Sequence, residues 1–282
     1  MKTNDELIDD LLTLAFAEDV GDGDVTTLST IPADERGRQR LIIKEEGILS
    51  GVEIARKVFA KFDPDLKMTV YIKDGAHVKP GDIAFEVEGS VRSLLQTERV
   101  MLNIMQRMSG IATVTAKYQE KLAGLKTKVL DTRKTTPGMR ILEKEAVKTG
   151  GGANHRMGLH DMILIKDNHV DFAGGIAKAV EAAKKFCRDT GRGDLKIEVE
   201  VRNTDEINEA LAAGVDRIML DNFTPERTKE AVKLIAGRTE VESSGGITLD
   251  TLRAYGECGV DFISVGALTH SVKGLDMSFK AF

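Results

Sequence analysis

A repeating pattern of apolar runs and helical segments after residue 125 constrains the fold more than any other feature of the chain. Segments with helical spacing, such as "TDEINEALAAG" and "PERTKEAVKLIAG", separate most of the runs. Apolar strands that alternate with helices of this length form βαβ units and a parallel sheet. Six units favour a β/α barrel over an open doubly wound sheet. The chain lacks a GxGxxG fingerprint at a first βα turn, which argues against a dinucleotide-binding site. The six runs are "KVLDTRK", "MILIKDNH", "KIEVEVRN", "RIMLDNF", "TEVESSGG" and "FISVGAL".

The first part of the chain has a different pattern. Apolar residues at helical spacing predict an amphipathic helix over about residues 3–17. Short alternating strands with tight Asp-Gly and Pro-Gly turns follow over about residues 37–90, and helical spacing returns over 92–123. The predicted domains are an α/β domain over residues 1–112 and a β/α barrel over 113–270, with the tail, about 271–282, joining the first domain.

Composition and charge exclude several classes of function. A net charge of −5 over 282 residues argues against a nucleic-acid binder. No apolar run approaches the roughly 20 residues that cross a bilayer, and the acidic N-terminus lacks the pattern of a signal peptide. Cys187 and Cys258 show no metal or redox spacing, so we expect buried free thiols in a cytoplasmic protein.

Charged and glycine-rich residues follow the predicted strands. In β/α barrels the active site lies at the carboxyl ends of the strands, so these residues are expected to meet at one end of the barrel. His155 and Arg156 lie in a glycine-rich segment that precedes the second strand. The residues at the strand ends are Arg133, Lys134, Lys166, Asp167, His169, Glu200, Asp221, Ser244, Gly245, Gly246 and Gly266.

Each of these features has a simpler interpretation when it is taken alone. Arg133 and Lys134 could be solvated loop charges, Glu200 and Asp221 could cap helices, and Ser-Gly-Gly could be a turn. Together they are harder to explain, because clustered cations repel each other in a partly desolvated cleft. A polyanionic ligand would remove that repulsion, and glycine-rich loops before helices suit phosphate. Two neighbouring carboxylates suit Mg²⁺ that bridges a diphosphate, so we predict a barrel enzyme with an anionic, phosphorylated substrate.

Several long motifs resemble those of one enzyme family. They are "ERVMLNIMQRMSGIAT", "DTRKTTPGMR", "EKEAVKTGGGANHRMGLHDMILIKDNH", "EVEV", "IMLDN", "ESSGGI" and "ISVGALTHS". The chain is similar from "EDVGDGDVTT" to its last barrel strand to quinolinate phosphoribosyltransferases. The resemblance implies a decarboxylating pentosyltransferase of NAD biosynthesis that needs Mg²⁺. Its reaction converts quinolinate and phosphoribosyl diphosphate to nicotinate mononucleotide, pyrophosphate and CO₂.

The resemblance also implies an architecture and a set of ligand contacts. The fold would be an N-terminal α/β sandwich domain followed by an incomplete TIM-like β/α barrel, and two chains would pair head to tail with shared active sites. Quinolinate would contact Arg133, His155, Arg156 and Lys166 together with Arg99 of a second copy. Phosphoribosyl diphosphate and its metal would contact Lys134, Glu200, Asp221, Ser244, Gly245, Gly246, Gly266 and His270. Of these, Lys134, Glu200 and Asp221 would be catalytic. The carboxylates of Glu200 and Asp221 would also bind the metal.

Two other interpretations stay open at this point. A molybdenum-associated paralogue and the nicotinate phosphoribosyltransferases share the fold, although the full set of cationic residues favours a dicarboxylate acceptor. The turns of "IKDGAHVKPGDIAFEVEG" also resemble those of biotinyl and lipoyl carrier domains, but no Met-Lys-Met tripeptide is present. No residue has the setting of an activated nucleophile, so we expect no covalent enzyme intermediate.

Overall fold

The computed structural model describes residues 2–282, which form eleven α-helices and twelve β-strands. The helices are α1 (Asn4–Asp19), α2 (Val25–Thr30), α3 (Val52–Phe62), α4 (Val91–Lys121), α5 (Arg140–Thr149), α6 (Asp167–Ala173), α7 (Ile176–Asp189), α8 (Thr204–Ala213), α9 (Pro225–Ile235), α10 (Leu252–Gly256) and α11 (Ala267–His270). The strands are β1 (Arg36–Ile43), β2 (Gly47–Ile48), β3 (Lys67–Val70), β4 (His77–Val78), β5 (Ile83–Ser90), β6 (Lys128–Leu130), β7 (Ile163–Ile165), β8 (Ile197–Val201), β9 (Arg217–Asp221), β10 (Glu240–Ser244), β11 (Phe262–Ser264) and β12 (Met277–Ala281).

The first compact unit contains an antiparallel sheet covered by helices. Its strand order is β12-β1-β5-β3, so the C-terminal strand of the chain pairs with the first strand. Phe59 from α3 packs against Phe85 from β5 and Phe279 from β12, with ring centroids 5.9 to 6.2 Å apart. All three rings are buried, so helix and sheet enclose an apolar core as in an α/β sandwich.

The first unit does not end at the predicted domain boundary. It extends to Ala116, inside α4, and also includes Thr135–Gly151 and Leu268–Phe282. Gly110 on α4 approaches the C-terminal segment so closely that a Cβ there would lie 2.2 Å from the carbonyl oxygen of Lys273. Only glycine fits at this position, because any side chain would collide with backbone.

The second unit, which comprises Lys117–Lys134 and Gly152–Ala267, contains the predicted β/α repeat. All six predicted strands form, and they lie parallel in the order β6-β11-β10-β9-β8-β7. Within residues 2–282 no ladder joins β6 to β7, so these two strands are the edges of an open barrel. The predicted fold class, an α/β sandwich domain with an incomplete β/α barrel, is confirmed.

Two further expectations concern cysteines and membranes. Cys187 is a buried free thiol as expected, but the expectation is wrong for Cys258, which is half-buried. The Cys258 thiol donates to the backbone carbonyl oxygens of Ala254 and Pro225 at 3.1 and 3.2 Å. No helix in residues 2–282 has both the length and the apolar character that crossing a membrane requires.

Candidate active site

The barrel strands carry charged residues on one face and mostly valine, isoleucine and leucine on the other. Successive side chains of a strand point to opposite faces, while residues paired across parallel strands share a face. Glu198 pairs with Arg217, and Glu200 pairs with Met219, which also pairs with Glu242. All five side chains are buried. The inner face of the incomplete barrel is therefore charged rather than apolar.

A cluster of buried ionisable groups lies on this inner face. His155 Nε2 lies 3.0 Å from Glu198 Oε2 and 3.6 Å from Glu242 Oε2. Arg217 lies on the other side of Glu242, with Nη1 3.2 Å from Glu242 Oε2 and Nη2 3.0 Å from Glu240 Oε2. The Arg217 guanidinium also stacks 4.2 Å from the centroid of a phenylalanine ring at its edge of the cluster. The imidazole of His155 and the guanidinium of Arg217 thus lie on two sides of the buried carboxyls.

Burial dominates the acid–base behaviour of this cluster. It raises the pKa of Glu242 to about 8, and repulsion from the neighbouring Glu198 adds to the effect. It raises the pKa of Glu198 to about 7, against an opposing attraction from Arg217. Because two adjacent buried carboxyls cannot both ionise cheaply, near neutral pH the pair retains a proton.

His155, Glu198 and Glu242 could in principle hold a metal ion, since one ligand atom from each lies within 4.8 Å of the others. The hydrogen bonds argue against it. The backbone N–H of Arg156 donates to His155 Nδ1 at 2.8 Å, which assigns the imidazole proton to Nε2. A protonated Nε2 has no lone pair for a metal, and Arg217 already neutralises charge beside Glu242. The trio is better described as a cluster of buried ionisable groups beside Arg217.

Above the cluster, a lysine and a carboxylate meet at the carboxyl ends of β7 and β8. Lys166 Nζ lies 2.8 Å from Glu200 Oε2, and the lysine side chain is 46% exposed whereas that of Glu200 is 10% exposed. The backbone N–H of Lys166 donates to His169 Nδ1 at 3.0 Å, so His169 caps the start of α6. The structure thus brings two of the predicted site residues together and gives His169 a local structural contact.

Two guanidinium groups of the second unit, those of Arg133 and Arg156, lie close together. Arg156 is half-buried, and burial first, then the charge of Arg133, lowers the pKa of its guanidinium. Arg156 Nη1 donates to the backbone carbonyl of Met162 at 3.3 Å, while Arg133 is exposed. Lys134 is also exposed, and its backbone N–H donates to Thr132 Oγ1 at 3.0 Å. The structure thus brings the guanidinium groups of Arg133 and Arg156 within electrostatic reach of each other.

The ends of β9 and β10 are joined by a tight arrangement of backbone and side chain. Asp221 pairs with Ser244, and Asn222 donates its backbone N–H to the Ser244 carbonyl at 2.9 Å and its side-chain amide to Asp221 Oδ2 at 2.6 Å. Gly245 has φ +98°, and a Cβ there would lie 2.2 Å from Asn222 Oδ1. The Ser-Gly-Gly segment therefore requires glycine at Gly245, because a side chain there would collide with Asn222.

The structure shows fewer contacts for the three remaining predicted residues. Gly266 follows β11 by two residues in the second unit, and its surroundings are half-buried. His270 ends α11 in the first unit, where its Nδ1 lies 2.6 Å from Ser271 Oγ. Arg99 is an exposed residue of α4 in the first unit. No hydrogen bond or ion pair of the Arg99 side chain occurs within residues 2–282.

Sequence reasoning missed Glu198, Arg217 and Glu242, although a signal for them is present. "IEVEV" and "EVES" alternate glutamate with valine along strands whose two faces are both buried in a barrel. An alternating acidic residue in such a strand indicates a polar barrel interior. Which cation compensates each acid depends on the register between strands, and that register is not readable from one strand alone.

A parallel β/α barrel with clustered cations, two carboxylates and a Ser-Gly-Gly turn at its strand ends defines an enzyme for anionic, phosphorylated substrates. Comparison with known families narrows this class. The model of the quinolinate phosphoribosyl transferase N-terminal domain matches residues 24–109, and that of the C-terminal domain matches residues 111–280. The chain therefore belongs to the quinolinate phosphoribosyltransferase family. The N-terminal match also removes the basis for a biotinyl or lipoyl carrier module.

Individual relatives agree over nearly the full length. The probable nicotinate-nucleotide pyrophosphorylase [carboxylating] of Bacillus subtilis is 44% identical, covering 95% of this chain and 91% of the relative. The chloroplastic nicotinate-nucleotide pyrophosphorylase [carboxylating] of Arabidopsis thaliana is 45% identical, covering 96% of this chain and 81% of the relative. Among solved structures, the nicotinate-nucleotide pyrophosphorylase of Francisella tularensis has a TM-score of 0.93 at 42% identity, covering 100% of this chain and 98% of that one.

Proposed function

We propose that this chain catalyses the transfer of a phosphoribosyl group to quinolinate, with release of pyrophosphate and CO₂ and formation of nicotinate mononucleotide for NAD biosynthesis. Family membership over both domains supports this proposal. The observations that carry it are two features of the second unit: the interacting guanidinium groups of Arg133 and Arg156, and the Lys166–Glu200 ion pair. Cations beside carboxylates suit one substrate with two carboxylates and another with phosphates.

The arginine residues form the proposed quinolinate subsite. Arg156 and Arg133 repel each other when the site is empty of anions, and a dicarboxylate would reverse that repulsion with bidentate hydrogen bonds. His155 supports Arg156 by accepting its backbone N–H. Because both ring nitrogens of His155 face protein groups, direct contact with a quinolinate carboxylate requires the imidazole to release one of them. Lys166 completes the proposed subsite.

The glycine-rich strand ends form the proposed phosphoribosyl diphosphate subsite. Backbone N–H groups near Gly245, Gly246 and Gly266 suit phosphate oxygens, Lys134 would add positive charge, and His270 would add a hydrogen bond. Ser244 would contribute its hydroxyl. Gly245, Gly246 and Gly266 follow the paired strands β10 and β11. Strand β11 also pairs with β6, the strand that precedes Lys134.

Mg²⁺ fits the donor set at the adjacent ends of β8 and β9. Glu200 and Asp221 supply carboxylate oxygens, the ligands that Mg²⁺ prefers, and the remaining positions would come from water and diphosphate. Each carboxylate has one oxygen already engaged, Glu200 Oε2 by Lys166 and Asp221 Oδ2 by Asn222. When bound, the ion would neutralise the diphosphate leaving group.

The residues of the chain account for the proposed chemistry in two stages. Departure of pyrophosphate leaves positive charge on the ribosyl carbon, which the Glu200 or Asp221 carboxylate can stabilise electrostatically. The arginines hold the quinolinate ring nitrogen against that carbon, so much of the rate gain comes from positioning. After the new bond forms, CO₂ leaves from the ring carbon beside the cationic nitrogen. The electron pair of the broken bond stays on that carbon, where the positive charge of the ring stabilises it, and it takes up a proton from solvent to give nicotinate mononucleotide. Neither stage uses a covalent bond to the protein.

The proposed assay measures both products together. Purified protein is incubated with phosphoribosyl diphosphate, Mg²⁺ and either quinolinate or nicotinate, and CO₂ and nicotinate mononucleotide are quantified. We expect equal amounts of the two products from quinolinate and no turnover of nicotinate. A folded protein that turns over neither substrate would favour the molybdenum-associated paralogue, and use of nicotinate without CO₂ would favour a nicotinate phosphoribosyltransferase.

We propose further that the enzyme is a homodimer in which Arg99 of each copy completes the site of the other. The exposure of Arg99, without a hydrogen bond or ion pair among residues 2–282, supports this role. Arg99→Ala and Lys166→Ala proteins should each be inactive. Mixed under conditions of subunit exchange, they should regain about a quarter of wild-type activity, because half of the dimers then hold one intact site. A mixture that stays inactive despite exchange would contradict shared sites. A cytoplasmic location stays a prediction.

A further inference from the structure

An arginine of helix α4 connects three other segments of the first unit. Arg107 Nε lies 2.6 Å from Glu143 Oε1 on α5. Its Nη2 donates to Thr136 Oγ1 at 2.9 Å and to the backbone carbonyl of Thr269 at 2.8 Å. One planar guanidinium therefore holds three partners that lie between 29 and 162 residues away along the chain.

Glu143 closes the network from the other side. Its Oε2 accepts the backbone N–H of Thr136 at 3.2 Å, while its Oε1 contacts Arg107. Thr136 is thus held twice, through its hydroxyl by the arginine and through its backbone by the glutamate. The segment that follows β6 has its conformation fixed by these two charged groups.

The Arg107–Glu143 ion pair has a high desolvation cost, which indicates a role other than packing. Glu143 is fully buried, and the Arg107 side chain is 27% exposed. The cost of desolvating two such charges often exceeds their attraction, so an apolar pair of similar volume would serve stability at least as well. What an apolar pair cannot do is fix the direction of a threonine hydroxyl, a backbone N–H and a carbonyl simultaneously.

The segments that Arg107 holds lie next to proposed ligand-binding residues. Lys134 precedes Thr136 by two residues, and His270 directly follows Thr269. Both were assigned above to phosphoribosyl diphosphate, and they come from segments that follow β6 and β11, two paired strands. Displacement of either segment would move a proposed phosphate contact without touching the reacting atoms.

We infer that Arg107 and Glu143 are positioning residues that hold the segments of Lys134 and His270 for phosphoribosyl diphosphate. The inference rests on the proposed function. Arg107→Lys keeps the positive charge but cannot replace the planar fork that joins three partners. We expect it to raise KM for phosphoribosyl diphosphate about tenfold, while KM for quinolinate changes less than about threefold.

Arg92 provides a matched control on the same helix. It also joins distant segments, with Nε 2.9 Å from the backbone carbonyl of Ile31 and Nη2 3.3 Å from that of Leu28. Arg92→Lys should lower the melting temperature in a similar way but leave both KM values within about twofold of wild type. An equal rise in KM for Arg92→Lys and Arg107→Lys would show a general loss of stability and overturn the inference.

Thr136→Val tests the same network without removing a charge. Thr136 is exposed, so loss of its hydroxyl should not prevent folding, and we expect KM for phosphoribosyl diphosphate to rise about threefold. If Arg107→Lys fails to fold, this variant decides, and an unchanged KM contradicts the inference. An inactive wild type in the same assay would instead contradict the proposed function. An active wild type with unchanged Arg107→Lys kinetics would overturn the inference alone.

Discussion

The two sheets of this protein obey the same alternation rule and fill their interiors in opposite ways. In the first unit, the residues that point inward from sheet and helix include Phe59, Phe85 and Phe279, which pack ring against ring. In the second unit, the inner face carries Glu198 and Glu242, joined to Arg217 and a histidine. Most of the apolar residues of β8, β9 and β10 lie on the other face of these strands.

The difference indicates that the two units have different roles, one in stability and the other in orienting side chains. An aromatic core gains stability directly from burial and needs only volume and shape to match. A charged interior gains little net stability, because each ion loses its hydration. Its value is orientation, since the buried cluster supports His155 and the backbone of Arg156 below the strand ends. The sandwich unit should therefore respond to mutation through stability alone, whereas mutations on the barrel face should change activity or the pH dependence of stability.

The largest effect on stability is expected for Phe85→Ala. Loss of a fully buried ring that contacts two others should lower the free energy of unfolding by about 3–5 kcal/mol. Urea denaturation measures this change, and kcat of the fraction that remains folded should be near that of wild type. A loss below about 1 kcal/mol would mean that the aromatic cluster is not the core of the first unit.

Arg217→Met should cost nearly as much, for a different reason. The substitution leaves Glu242 buried without its cation, at a cost of about 3 kcal/mol. Because the carboxyl can escape by binding a proton, the loss should be greater at pH 8 than at pH 6. Chemical denaturation at both pH values tests this. An equal loss at both would contradict the ionic description of the cluster.

Glu200→Gln should separate activity from stability. The amide keeps the size of the side chain but loses the charge that faces Lys166, so kcat should fall about a hundredfold or more. The melting temperature should change little, because the Lys166 side chain stays partly solvated. Steady-state kinetics and calorimetry on one preparation check both halves. A large drop in melting temperature at unchanged kcat would reverse the roles assigned to the two regions.

The most gradual effect concerns the pH dependence of stability. Burial raises the pKa of Glu242 to about 8, above an ordinary value of 4.5, so the folded state binds this proton more tightly than the unfolded state. The resulting stabilisation is complete below about pH 4.5 and is lost as pH rises towards 8. Glu242→Gln should remove this decline, which is on the order of 1 kcal/mol per pH unit at most. Parallel pH profiles of wild type and variant would contradict it.

Much of the barrel could be predicted from the sequence, because the patterns that indicate its strands and helices are local. Each of the six strands formed where an apolar run stood between helical segments, and Lys166, Glu200 and Asp221 lie at strand ends as predicted. The aromatic core was less visible, since Phe59 and Phe279 are separated by 220 residues and meet only through the pairing of β1 with β12. Local patterns do not report such pairings.

The positioning residues Arg107 and Glu143 could not be predicted from the sequence for the same reason. Glu143 lies on a helix of the β/α repeat, yet Thr135–Gly151 joins the first unit rather than the barrel. Arg107 looked like one more charge on an amphipathic helix, and its three partners come from distant segments. Only tertiary contact reveals that these charges are shared, whereas residues that follow strands can be recognised from their position alone.

The measurement that tests the central claim most directly is the ratio of kcat/KM for quinolinate to that for nicotinate, in wild type and in Arg156→Gln. If the charged strand ends bind a dicarboxylate, the wild-type ratio should be at least about 10³, because nicotinate lacks the second carboxylate that would pair with the half-buried Arg156 guanidinium. Arg156→Gln should reduce kcat/KM for quinolinate and compress the ratio. Comparable use of both acids by wild type, or a ratio unchanged in Arg156→Gln, would contradict the account.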